Sequence, residues 1–117
     1  MNYLLVFIGG GLGSLIRYFL SLGFQKTNLN LPIATFCANI ISCLIFGGLI
    51  YIYKEKQFIP EPYKLFVLIG ICGGLSTFST FSYETFELIK QGLTMWAIIN
   101  IIASTILCTA LFFVFTK

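Results

Sequence analysis

Residues 70–84 read GICGGLSTFSTFSYE. The stretch begins apolar, carries Gly70, Gly73 and Gly74, and then interleaves Ser76, Thr77, Ser79, Thr80 and Ser82 with Phe78 and Phe81. No Asp, Glu, Lys or Arg occurs from residue 65 to residue 83, so the segment is apolar enough to enter a bilayer. A plain anchor would be built from leucine and valine. Glycine freedom and hydroxyl donors at mid-span are a burden in hydrocarbon unless they do something there.

The rest of the chain has the same character. Of its 117 residues, 58% are hydrophobic and 9% charged, against about 25% charged in soluble domains, and a soluble fold of this size could not hide so much apolar surface. Charge is also absent before Arg17, from 27 to 53 and from 91 to 116. Because about 20 apolar residues cross a bilayer core, the pattern predicts an all-α membrane protein, one domain over 1–117. Its four transmembrane helices are expected near 3–24, 33–53, 63–89 and 95–115. The first apolar run lacks a basic leader and is interrupted by glycines, so it reads as the first span and not as a cleavable signal.

The seven basic residues lie scattered at loop ends and form no stripe, which excludes a nucleic-acid surface. Cys37, Cys43, Cys72 and Cys108 all fall within spans and form no CxxC pair; they read as small packing residues. Histidine is absent, and Glu84 and Glu87 stand alone near the end of the third span, so no catalytic arrangement is in view and an enzyme is not expected.

An even number of spans puts Lys54, Lys56, Lys64 and Lys117 on one side and Lys26 and Lys90 on the other. Four against two is a weak positive-inside bias. Insertion in either orientation is therefore expected, and with it pairing of the chain with an inverted copy. Gly9 and Gly13, and again Gly70 and Gly74, have the four-residue spacing that lets helix backbones approach closely, either within the chain or between copies.

Arg17 lies inside the first span, where its charge must snorkel, line a vestibule or pair structurally. Asn39 carries an amide into the second span, as interhelical glue or as a donor on a polar path. Gly73 and Gly74, followed by Leu75, Ser76 and Thr77, allow the third helix to unwind. Freed carbonyls at such a break suit a small hard cation such as sodium; the alternative is an unbroken helix with a packing notch. Beyond it, Phe78 and Phe81 sit three residues apart. Their ring edges carry partial positive charge, and with neighbouring hydroxyls and the Asn39 amide they could replace water around a small anion without trapping it.

GGGLGSLIRY in the first span, ATFCANIIS in the second and GICGGLSTFSTF in the third resemble the Fluc (CrcB) fluoride channels over nearly the whole chain. The resemblance implies passive export of fluoride through an antiparallel dual-topology dimer with two pores and a central structural sodium ion. It assigns that ion to the backbone carbonyls of Gly73 and Ser76. The pore would be formed by Asn39, Phe78, Ser79, Thr80, Phe81 and Ser104, with Asn100 also polar in the fourth span, and Arg17 would match the family's arginine. Ser76 stands where many members have threonine. The partner is a second copy of the chain or a related paralogous one. The competing reading, a small multidrug-type proton-coupled exporter, needs a membrane glutamate in the first helix, and this chain has none there.

Overall fold

The computed structural model describes residues 1–25 and 32–116. Lys26 and Lys117, two of the six lysines that set the charge bias between the two sides, lie outside the described residues. Helix α1 spans Asn2–Gln25, α2 Ile33–Lys56, α3 Glu61–Lys64, α4 Gly73–Leu75, α5 Ser79–Lys90 and α6 Thr94–Phe115. Between α3 and α4 the chain runs as a π-helix, Leu65–Cys72. A π-helix of that length is rare, and nothing in LFVLIGIC announces it.

At 24 residues each, α1 and α2 are about 36 Å long, enough to cross a hydrocarbon core of about 30 Å. Asn2–Gln25, Ile33–Lys56, Glu61–Lys90 and Thr94–Phe115 are all long and apolar enough to span a membrane. Little of this apolar surface is covered within the chain: Tyr3, Phe7, Phe78 and Phe113 are all exposed. A bilayer or a partner must cover it, and the chain is a multi-pass membrane protein.

The ends of the helices follow local chemistry. Lys54 and Lys56 lie in the last turn of α2, where cations favour the helix dipole. The Lys54 ammonium donates to the Thr116 carbonyl at 2.8 Å, so the C-terminal ends of α2 and α6 share one side. Between α5 and α6, Gly92 takes φ 83°. The Leu93 amide then reaches back to the Leu88 carbonyl at 2.8 Å, a Schellman closure that needs glycine at the left-handed position.

Both glycine pairs are used inside the chain. A Cβ on Gly9 would lie 2.5 Å from the Phe66 carbonyl, one on Gly13 would strike the Ile71 carbonyl, and one on Gly74 would strike the Gly10 carbonyl. The four-residue spacing thus serves contact between α1 and the third segment. On the other side α6 packs along α2 and α5. The Phe46 and Phe112 rings meet edge to face at 5.5 Å, and Gly47 makes room for the Phe115 ring. Ala38, Cys72 and Leu75 are buried where these contacts converge.

Candidate functional site

Helical geometry ends at Leu75: Ser76 is extended (φ −78°, ψ 154°), and helix resumes at Ser79. Unwinding is expected from the sequence at residues 73–76, whereas Gly73–Leu75 are helical and residues 76–78 are not. The reason lies in the hydrogen bonds. Thr77 donates its amide to Asn39 Oδ1 at 2.9 Å, leaving the Gly73 carbonyl without its usual i+4 donor. Thr80 donates its amide to Thr77 Oγ1 at 3.2 Å, which diverts it from the Ser76 carbonyl and caps the start of α5 in the manner of an N-cap threonine.

Neighbouring carbonyls are satisfied. Cys72 accepts from the Ser76 amide at 3.0 Å, the Ser76 hydroxyl at 2.7 Å and the buried Ser42 hydroxyl at 3.1 Å. Gly74 accepts from Arg17 Nε at 3.2 Å. Thr77 accepts, at 3.4 Å, from Asn39 Nδ2. Side chains from α1 and α2 therefore support the backbone just before residues 76–78 and, at Thr77, within them. The Ser76 hydroxyl is turned back onto its own helix.

A cavity of about 470 Å³ opens beside this segment. Asn39, Gly73, Ser76, Phe78, Phe81 and Ser104, six of the residues singled out from the sequence, line it together. The Phe78 and Phe81 ring centroids are 6.0 Å apart with planes tilted by 40°, and Phe78 is 78% exposed in the single chain. Gly73 also faces open space, with nothing within 4 Å of where a Cβ would stand.

Other expected site residues fall elsewhere. Ser79 and Thr80 are not part of this lining: the Ser79 hydroxyl lies 3.5 Å from that of Thr77, and the Thr80 amide serves the cap. Arg17 reaches the Gly74 carbonyl, a structural use of its guanidinium. Asn100 is buried and donates to Thr85 Oγ1 at 3.0 Å, while Thr85 donates to the Phe81 carbonyl at 2.8 Å. Ser104 makes a long contact of 3.5 Å with Asn100 Oδ1. These polar groups tie α6 to the α5 turn that carries Phe81.

Sequence reading missed Thr77 as the clamped residue and Ser42 as a support. Ser42 lies three residues after Asn39 on the same helix face, a spacing that could have revealed it. Thr77, Cys43, Thr105 and Cys108 complete the lining; the sequence marks the two cysteines only as packing residues, and nothing in their spacing or that of Thr105 points to the cavity.

Residues 4–115 match the family model described as CrcB-like protein, Camphor Resistance (CrcB). The chain is 43% identical over 105 residues to a Fluoride-specific ion channel FluC of Methanocaldococcus jannaschii, covering 90% of this chain and 83% of the relative. It is 41% identical over 113 residues to a protein of that name from Pyrococcus abyssi, covering 94% and 89%. A third relative so named, from Serratia proteamaculans, is 39% identical over 101 residues, covering 86% and 80%. With a match over most of its length and relatives this similar, the chain belongs to the CrcB family.

Proposed function

We propose that the chain is a fluoride-selective channel, not an enzyme, and that it lets fluoride leave the cell down its electrochemical gradient. The observation that carries this reading is the makeup of the cavity wall. Phe78 and Phe81, hydroxyl residues including Ser104 and Thr105, and Asn39 line it together, with neutral polar groups and no cationic side chain among the lining residues. Weak donors can stand in for an anion's hydration shell, while the absence of a cationic side chain from the wall lets the ion leave again. Family membership and similarity to fluoride-specific ion channels support the same ion.

The working unit on this reading is an antiparallel dimer. Phe78 and Gly73 face outward from the single chain, where an inverted copy or a related chain would complete the pore. A sodium ion would sit where two such segments meet, held by the Gly73 and Ser76 carbonyls, the two whose i+4 amides are diverted to side chains. Four neutral carbonyl dipoles, two per chain, suit a monovalent ion better than magnesium or calcium, which favour carboxylates. Bound there, the ion would supply a fixed positive charge that holds the two segments together. Replacing sodium by a large organic cation during purification is expected to lower dimer stability.

Reconstitution of the purified chain alone in liposomes tests the proposal. Fluoride efflux followed by electrode should proceed and chloride efflux should not. Efflux that appears only with a related chain present would assign the heterodimer. Flux that requires a proton gradient would support the exporter.

A further inference from the structure

The cavity wall holds two cysteines for which anion conduction has no use. Cys43 on α2 and Cys108 on α6 both line it beside Phe78 and Phe81, and both are partly exposed. The two cysteines stand on helices that pack along each other, and both contribute to the same wall. The remaining cysteines differ. Cys72 is buried, with its thiol donating to the Ser42 carbonyl at 3.5 Å, and Cys37 does not line the cavity.

Among the described residues no group of three His, Cys, Asp or Glu side chains is placed to hold a metal ion. What the wall offers is two sulfurs from two helices and no third strong ligand. That set does not suit hard cations, which take oxygen, nor zinc, which takes four ligands. It suits soft cations that favour thiolate and accept two-coordination.

We propose that Cys43 and Cys108 form a dithiol site for a soft, thiophilic metal cation, and that its occupation obstructs the cavity. On binding, two S–H bonds break, two protons pass to water and two sulfur–metal bonds form, with no change of oxidation state. The bridge joins α2 to α6 across the wall that carries Asn39 and Ser104, leaving a heavy cation beside the phenylalanine rings. The binding half of the proposal stands on the cysteine pair alone; the obstruction half rests on the channel reading.

Mercuric ion is the probe, added to the full-length chain in detergent and in liposomes. Titration of free thiols in detergent should show one mercuric ion removing two reactive thiols per chain. Cys43→Ser or Cys108→Ser leaves a single sulfur, so a competing monothiol should strip the ion at least about 100-fold more readily, the advantage of two linked contacts being lost. Cys37→Ser should behave as the parent does. In liposomes the parent's fluoride efflux should fall with mercuric ion and return with a dithiol chelator, whereas Cys43→Ser and Cys108→Ser should resist. If the variant lacking both Cys43 and Cys108 retains the ion as tightly as the parent, the site is overturned. Stoichiometric binding with undiminished efflux would overturn the obstruction. Absence of fluoride flux before any metal is added counts against the channel reading and leaves the thiol count to decide the site.

Discussion

Asn39 holds Thr77 by both of its backbone groups: Oδ1 accepts the Thr77 amide at 2.9 Å and Nδ2 donates to the Thr77 carbonyl at 3.4 Å. One side chain on the second span thus takes the donor that would otherwise continue the third helix. It does so from the cavity wall, so the residue that shapes the backbone also lines the path proposed for the anion.

Asn39→Asp preserves the acceptor for Thr77 and the side-chain volume, but removes the donor and adds negative charge when ionised. The lost bond to the Thr77 carbonyl is long, at 3.4 Å, and only partly buried, so the larger effect is repulsion of the anion by the new charge. Fluoride efflux is expected to fall by at least about tenfold, each 1.4 kcal/mol being a factor of ten in rate. Normal efflux from Asn39→Asp liposomes would remove Asn39 from the ion path.

Isoleucine at position 78 or 81 keeps apolar bulk and abolishes the ring quadrupole. Phe78→Ile and Phe81→Ile should each lose most fluoride flux while eluting as the parent does on size exclusion. Undiminished flux in both would reduce the pair, 6.0 Å apart, to packing.

Arg17 is expected to act on stability and not on permeation. Its bond to the Gly74 carbonyl is charge-assisted and partly buried, so Arg17→Met should destabilise by about 1.5–3 kcal/mol. A lower thermal midpoint in detergent, with fluoride still preferred over chloride, is the expected pair of results. Altered selectivity would place Arg17 at a vestibule instead.

The adjacent glycines Gly73 and Gly74 should respond differently. A Cβ on Gly74 meets the Gly10 carbonyl of α1 and one on Gly73 meets nothing within the chain. Gly74→Ala is expected to weaken the fold by about 1–3 kcal/mol, the usual cost of overpacking. Gly73→Val should leave helical content intact but disturb assembly. Circular dichroism melts and dimer mass measured side by side distinguish the two.

The spans are legible in the sequence because charge is confined to short loops and hydrocarbon tolerates little else. The residues around the cavity were legible because polar groups and glycines in a charge-free segment need a reason to be there. What local sequence could not supply was partners. Asn39 and Thr77 are 38 residues apart and Arg17 and Gly74 are 57, so the end of the helix at Leu75 depends on tertiary hydrogen bonds and not on the glycines that suggested it. Gly74 is glycine because α1 comes close, a packing requirement that sequence spacing raised without naming its partner. Cys43 and Cys108 looked inert for the same reason: only the packing of α2 on α6 brings them to one wall.

The most direct test of passive fluoride conduction is the reversal potential of the purified chain in a planar bilayer, under a fluoride gradient with pH equal on both sides. A fluoride channel predicts a shift of about 59 mV for each tenfold change in the fluoride ratio, the Nernst slope for a one-charge ion. The potential should not move when a chloride gradient is substituted. A reversal potential that ignores the fluoride ratio, or current that appears only when a proton gradient is imposed, would contradict it.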